Sequence, residues 1–216
     1  MKTYPSIPHY NKGYFGDTVW AFDKLDGSNI RFSWSKKRGW YKFGTRTQMI
    51  SESDPNFGIS IPIFLDKYGD ELESVFRKKY SNIESVVVFG EFFGENSFAG
   101  QHDPDDKKDI VIFDVNLYKK GFITPGEFVD NFGHLDIPEL IYKGVYDLDL
   151  IKEIRNSNLK EGVICKGVRK TKGDEIVWMT KIKTNEWLQK VKALYGEKAL
   201  LEELNRDKSL LTDCIS

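Results

Sequence analysis

The sequence predicts an α+β fold with central antiparallel sheets flanked by helices and a closing C-terminal helix. Three observations predict it: short alternating or β-branched runs fill the middle of the chain, helically spaced segments interrupt them, and an amphipathic stretch covers 184–204. Taken in order, 18–24 and 28–35 alternate in polarity and are rich in aromatic and β-branched residues. The Asp26-Gly27 pair between them predicts two strands joined by a tight turn. A third strand follows at 40–44. Over 62–80, Ile63, Leu65, Tyr68, Leu72, Val75, Phe76 and Tyr80 keep helical spacing. Asp66 comes early and Arg77-Lys78-Lys79 late, as the helix dipole favours, while Gly69 weakens the middle. The apolar runs 86–89 and 110–113 read as central strands. Thr124, Pro125 and Glu127 occupy the N-cap, N1 and N3 positions of a helix running to Phe132, and Asp147 caps another through Asn156. Segments 162–168 and 175–183 form a strand pair before the C-terminal helix.

Composition narrows the function. The 216 residues, 40% hydrophobic, suffice for a core without disulfide staples, so Cys165 and Cys214 read as reduced intracellular thiols. A net charge of −1 excludes a uniformly basic nucleic-acid binder, so any polyanion site is local. No apolar run reaches the length of a membrane span, and Met1-Lys2-Thr3-Tyr4-Pro5 opens no secretory signal, so no membrane association and a cytoplasmic location are expected. With no repeat or long linker, residues 1–216 read as one domain with 184–216 as a helical appendage. His9, His102 and His134 lack metal-ligand spacing and read as surface or loop residues, and no P-loop is present.

Six short blocks carry the chemistry. Lys24-Leu25-Asp26-Gly27-Ser28-Asn29 puts a lysine where one strand ends, although alone it is a common turn sequence. It is followed in order by Lys42-Phe43-Gly44-Thr45-Arg46-Thr47, by Phe89-Gly90-Glu91-Phe92-Phe93-Gly94 and by Ile112-Phe113-Asp114. Glu161-Gly162-Val163-Ile164-Cys165-Lys166 and Lys181-Ile182-Lys183 complete the set. Taken alone, Phe113 in its apolar run reads as core, and Lys181 and Lys183 as solvated strand residues. Together and in this order, the blocks resemble motifs I, Ia, III, IIIa, IV and V of the covalent nucleotidyltransferases, the superfamily of ATP-dependent RNA and DNA ligases and mRNA capping enzymes. Within it the chain is most similar to the RNA-ligase branch represented by the second RNA ligase of bacteriophage T4. The fold implied is the ATP-grasp-like nucleotidyltransferase domain.

The resemblance implies ATP and Mg²⁺ or Mn²⁺ as cofactors, and RNA with 5′-phosphate and 3′-hydroxyl ends as substrate. DNA or a hybrid duplex is the alternative, with a non-catalytic nucleic-acid-binding module of the same fold behind it. Lys24 is implied as the nucleophile that becomes lysyl-AMP, activated by the positive charge of Lys181, Lys183 and the metal. Phe113 is implied as the adenine platform, Glu91 as the ribose acceptor, Arg46 as a sugar or phosphate clamp, and Glu161 as the group positioning metal or amine. Lys181 and Lys183 share a face if Ile182 points the other way, and so can flank one phosphate. Asn29 matches an asparagine that assists sealing. Between Lys160 and Lys192, nine bases face four acids, which makes a local polyanion patch. The loop of Arg169, Lys170 and Lys172 is its expected backbone contact or, equally, an ordinary solvated hairpin tip. Only 33 residues follow Lys183, room for a helix but not for an OB fold. The expectation is therefore a minimal form, with a protein partner replacing the absent C-terminal domain.

Overall fold

The computed structural model describes residues 1–173 and 175–205. Cys214 and the end of the 184–216 appendage lie outside the described residues. The chain clusters into two compact units, Met1–Pro5 with Asp26–Pro138, and Ser6–Leu25 with the C-terminal part from Glu139.

The first unit is built on a six-stranded antiparallel sheet in the order β4-β3-β2-β5-β6-β7, from strands β2 (Ser28–Ser35), β3 (Gly39–Thr45), β4 (Met49–Ile50), β5 (Ser85–Phe93), β6 (Asp109–Leu117) and β7 (Gly121–Phe122). Alternate residues Ile30, Phe32 and Trp34 of β2 enter the core with Val86, Val88, Ile110 and Ile112. Helices α1 (Ser60–Phe64), α2 (Asp70–Lys79) and α3 (Pro125–Phe132) contribute Phe64, Leu72, Phe76, Phe128 and Phe132 to the same core. Phe32 stacks on Phe64 with ring centroids 3.6 Å apart. The helix expected over 62–80 is interrupted by a π turn, Leu65–Gly69. The Trp40 indole donates to the Gly69 carbonyl at 3.1 Å, which satisfies one backbone group beside the wider turn.

The second unit contains a four-stranded antiparallel sheet in the order β10-β9-β1-β8, from β1 (Thr18–Asp23), β8 (Leu140–Val145), β9 (Gly162–Lys170) and β10 (Glu175–Lys183). Helix α4 (Leu148–Arg155), capped by Asp147, adds Leu150, Ile151 and Ile154 to a core of Val19, Ala21, Val163, Cys165, Trp178 and Ile182. Helix α5 (Asn185–Asn205) follows β10 directly. Thr184 accepts the Trp187 amide on its hydroxyl at 3.2 Å, and α5 is kinked at Gly196.

One expectation is corrected. The strands on either side of Asp26-Gly27 do not form a hairpin, because β1 and β2 belong to different sheets. Asp26 instead accepts the Ala99 amide at 3.0 Å. At Gly27 a Cβ would lie 2.4 Å from the Phe92 carbonyl, so close backbone approach to β5, not a turn, requires the glycine. No helix among the described residues is long and apolar enough to cross a membrane.

Candidate active site

In the second unit the chemistry gathers at one end of the four-stranded sheet. Beyond β1, the Lys24 amide donates to the Gly162 carbonyl at 2.9 Å, and Gly162 pairs with Lys183 on β10. Lys24, Gly162 and Lys183 therefore stand side by side. Gly162 has φ +141°, and a Cβ there would sit 2.0 Å from the Ile182 carbonyl. Only glycine fits. That geometry sets Glu161 just before β9, with its carbonyl accepting the Thr184 amide at 3.0 Å.

Glu161 is buried, and each of its carboxylate oxygens accepts from a lysine: Oε2 from Lys24 at 2.7 Å and Oε1 from Lys183 at 2.8 Å. Burial alone would raise its pKa, but the Lys24 and Lys183 ammoniums outweigh burial and hold the carboxyl below its ordinary value. Ile182 enters the core while Lys181 and Lys183 meet on the other side, each 3.0 Å from Oε1 of Glu203 on α5. The Lys181 pKa is lowered by burial and by the neighbouring Lys183 and Lys24 charges, against the pull of Glu203. Lys183 also lies 3.3 Å from the centroid of the Trp187 ring, a cation–π contact. The nucleophile expected from sequence thus contacts a carboxylate first, with the cations one step further out.

In the first unit a second group of expected residues gathers on the sheet. Asn29 on β2 lies directly opposite Glu91 on β5. Cross-strand partners share a face, and the buried Asn29 Oδ1 finds no hydrogen-bond donor among the described residues. Register slips between Phe89 and Gly90, where Asp114 and then Ile112 are the partners, so Phe113 is the extra residue of a β-bulge. The bulge explains why Phe113 is only half-buried although its run reads as core. Beside it, the Tyr4 ring meets Phe89 at 4.9 Å and Phe113 at 5.0 Å, and its hydroxyl donates to Asp114 at 2.5 Å. Burial raises the Tyr4 pKa, as do the Asp114 and Glu91 charges, while Arg46 lowers it, so these groups share one neighbourhood. Arg46 itself is exposed.

The basic loop is less uniform than its sequence. All three cations are exposed, but Arg169 is held by Asp17 at 2.7 Å and lies 4.8 Å from the Tyr14 ring centroid, whereas Lys170 meets Glu175 only at 3.7 Å. Sequence reasoning missed Tyr4, His9, Trp187 and Glu203. His9, expected at the surface, is buried, because Lys181 donates its amide to the Pro8 carbonyl at 2.8 Å and draws that segment onto β10. No spacing signal links such distant positions.

A divalent cation fits this site only in company. No group of three or more His, Cys, Asp or Glu side chains among the described residues is arranged to hold one. The carboxylates at hand, Glu161 and Glu203, each already serve two ammoniums. Such a donor set suits a Mg²⁺ that keeps its waters and is held largely by substrate phosphates.

The fold has solved counterparts. An archaeal ATP-dependent RNA ligase matches with a TM-score of 0.62 at 18% identity, covering 95% of this chain and 56% of its own. A Naegleria gruberi RNA ligase with PPi matches with a TM-score of 0.59 at 18% identity, covering 84% and 54%. A mutant of the same Naegleria gruberi enzyme with AMP and Mn gives 0.58 at 16% identity, covering 83% and 53%. The chain spans about half the length of these ligases, and at such identities the likeness is one of fold. No curated protein matches in sequence. The model of the RNA ligase family matches residues 17–183, from the start of β1 to the last residue of β10. By that match, which takes in all six blocks, the chain belongs to the RNA ligase family.

Proposed function

We propose that the chain is an ATP-dependent RNA ligase that joins 5′-phosphate and 3′-hydroxyl RNA ends through a lysyl-AMP at Lys24. Residues 1–216 act as one adenylyltransferase domain, with the segment from 184 onward as its appendage. The observation that carries the reading is the Lys24–Glu161–Lys183 chain of contacts with Lys181 beside it, inside a family match that spans every motif. A lysine meant only for the surface would not be aligned by a buried carboxylate that a second lysine holds in turn.

In the first step the Lys24 amine, once deprotonated, attacks the α-phosphorus of ATP. A P–N bond forms, the bond to the bridging oxygen breaks, and pyrophosphate leaves with that electron pair. Glu161 holds the Lys24 side chain in line, and Lys181 and Lys183 balance the charge that develops on the phosphate. Mg²⁺ or Mn²⁺ would supply Lewis-acid neutralisation of the phosphate oxygens, and Glu161 would be the residue that helps hold it. Phe113 offers its half-buried ring to adenine, Glu91 accepts from the ribose hydroxyls, and Arg46 adds a planar fork for sugar or phosphate. In the second step an RNA 5′-phosphate oxygen attacks the same phosphorus and the P–N bond breaks. In the third, a 3′-hydroxyl attacks the activated end and AMP departs, with Asn29 orienting one of the reacting groups through its unpaired oxygen. Lys170 and Lys172 contact the RNA backbone and Arg169 shapes the loop that bears them. A cytoplasmic setting accompanies this reading, supported by the free, buried Cys165 thiol.

Incubation with ATP labelled at the α-phosphate and Mg²⁺, followed by a denaturing gel, tests it. Label should stay on the wild-type chain and vanish in Lys24→Ala. Sealing of nicked RNA ahead of DNA and hybrid duplexes should follow. A wild-type chain that takes no label after pyrophosphate treatment removes any pre-bound AMP would overturn the proposal.

A further inference from the structure

The second half of α5 makes a contact that the ligase chemistry does not use. At Gly196 the helix breaks, with φ 83° and ψ 174°, and the part beyond it brings Glu203 back onto the motif lysines. Its Oε1 lies 3.0 Å from Lys181, 3.0 Å from Lys183 and 3.5 Å from Nε2 of His9, and its backbone carbonyl is 3.1 Å from the same imidazole nitrogen. His9 is buried at 3% exposure and is fixed by a bridge between its own backbone and Lys181. One carboxylate oxygen thus sits between two lysine ammoniums, with the His9 imidazole 3.5 Å away and hydrogen-bonded to the carbonyl of the same residue. A phosphate oxygen carries the same kind of charge and accepts the same hydrogen bonds. The occupant is local, and its anchor is a helix half beyond a glycine of positive φ.

We propose that His9 is a third member of the Lys181–Lys183 anion site, and that Glu203 is a built-in competitor that phosphate must displace by moving the half-helix beyond Gly196. That the displacing anion is the phosphate chain of ATP rests on the function proposed above. The anion site itself does not. Gly196 is suited to the hinge, because a Cβ there would meet nothing within 4 Å, so only its left-handed backbone resists substitution.

The prediction is one of opposite signs. Inorganic pyrophosphate, titrated calorimetrically into the full chain, should bind Glu203→Gln about fivefold more tightly than wild type and His9→Gln about fivefold more weakly. Gly196→Ala, which favours a straight helix, should shift affinity in the direction of Glu203→Gln. In the adenylylation assay the same variants should shift half-saturating ATP in the same directions, with the rate at saturating ATP changed less. Weaker or unchanged pyrophosphate binding in Glu203→Gln would overturn the competitor role, leaving a structural clamp. Unchanged binding in His9→Gln would remove His9 from the site. A chain that binds pyrophosphate as predicted but takes no label keeps this inference and loses the ligase reading.

Discussion

Removing the charge of Glu161 should destabilise the second unit by about 3 kcal/mol. The side chain is 3% exposed, and it pairs at 2.7 Å with Lys24 and at 2.8 Å with Lys183. Breaking a buried pair from one side costs about 3–5 kcal/mol, because the remaining charge is stranded. Here the lower end applies. The Lys24 side chain is 21% exposed and can be solvated, and Lys183 keeps Glu203 at 3.0 Å. Glu161→Gln preserves shape and one acceptor, so packing is not confounded. For a chain of this size about 3 kcal/mol is a fall of about 6–12 °C in melting temperature, read by calorimetry at pH 7. The pH dependence carries a sign. Because its folded pKa lies below the ordinary 4.5, the carboxylate stabilises fully above that value and loses its contribution as pH falls through the folded pKa. The gap between wild type and variant should be constant around neutrality and close in acid. A fall below about 2 °C at pH 7, or a gap that widens on acidification, would refute the claim that the lysines depend on this carboxylate.

Three further outcomes follow from the same geometry. Gly162→Ala forces a Cβ to within 2.0 Å of the Ile182 carbonyl at φ +141°, so both thermal stability and adduct formation should collapse together, by more than about 3 kcal/mol of stability in urea titration. Phe113→Ala removes a half-buried bulge residue, not a core ring, so half-saturating ATP should rise about tenfold, the worth of one base–aromatic stack, with melting little changed; a large loss of stability instead would restore the core reading. Burial pushes the Cys165 thiol up to about 12, so this cysteine should resist a maleimide reagent at pH 8 in the native protein and react on unfolding, as mapped by mass spectrometry of the labelled peptide.

Local patterns disclosed most of the elements. The Thr124-Pro125-Glu127 and Asp147 caps start α3 and α4 at the expected residues, because capping is written within four positions. The alternation of Lys181, Ile182 and Lys183 disclosed which side chains leave the core. The failures are the non-local features. Asp26-Gly27 looks like a hairpin turn, but the contact that selects its glycine comes from Phe92, far along the chain. The edge strand β8 buries few residues and so writes little pattern. Phe113 reads as core because its run is apolar, and only the slip in pairing between β5 and β6 turns it outward. Glu203 and His9 are invisible for the same reason: a side-chain contact between positions 9 and 203 leaves no periodic trace.

The cluster at the end of the four-stranded sheet is an expensive way to hold three segments together. Well-packed apolar residues in place of a buried ion network are often neutral or stabilising by about 1–4 kcal/mol. Stability therefore does not explain why Lys24, Lys181 and Lys183 share two carboxylates. The adenylylation proposed at Lys24 does. In that reading Glu161 orients the Lys24 amine, and because the Lys24 and Lys183 ammoniums outweigh burial and hold its carboxyl below the ordinary value, it stays a hydrogen-bond acceptor. Three ammoniums against two carboxylates leave a surplus of positive charge, which grows by one when Glu203 moves away. Under the anion-site proposal, an arriving polyphosphate meets its full complement of donors only by evicting that carboxylate, so the positive charge beside Lys24 is uncovered as the anion arrives.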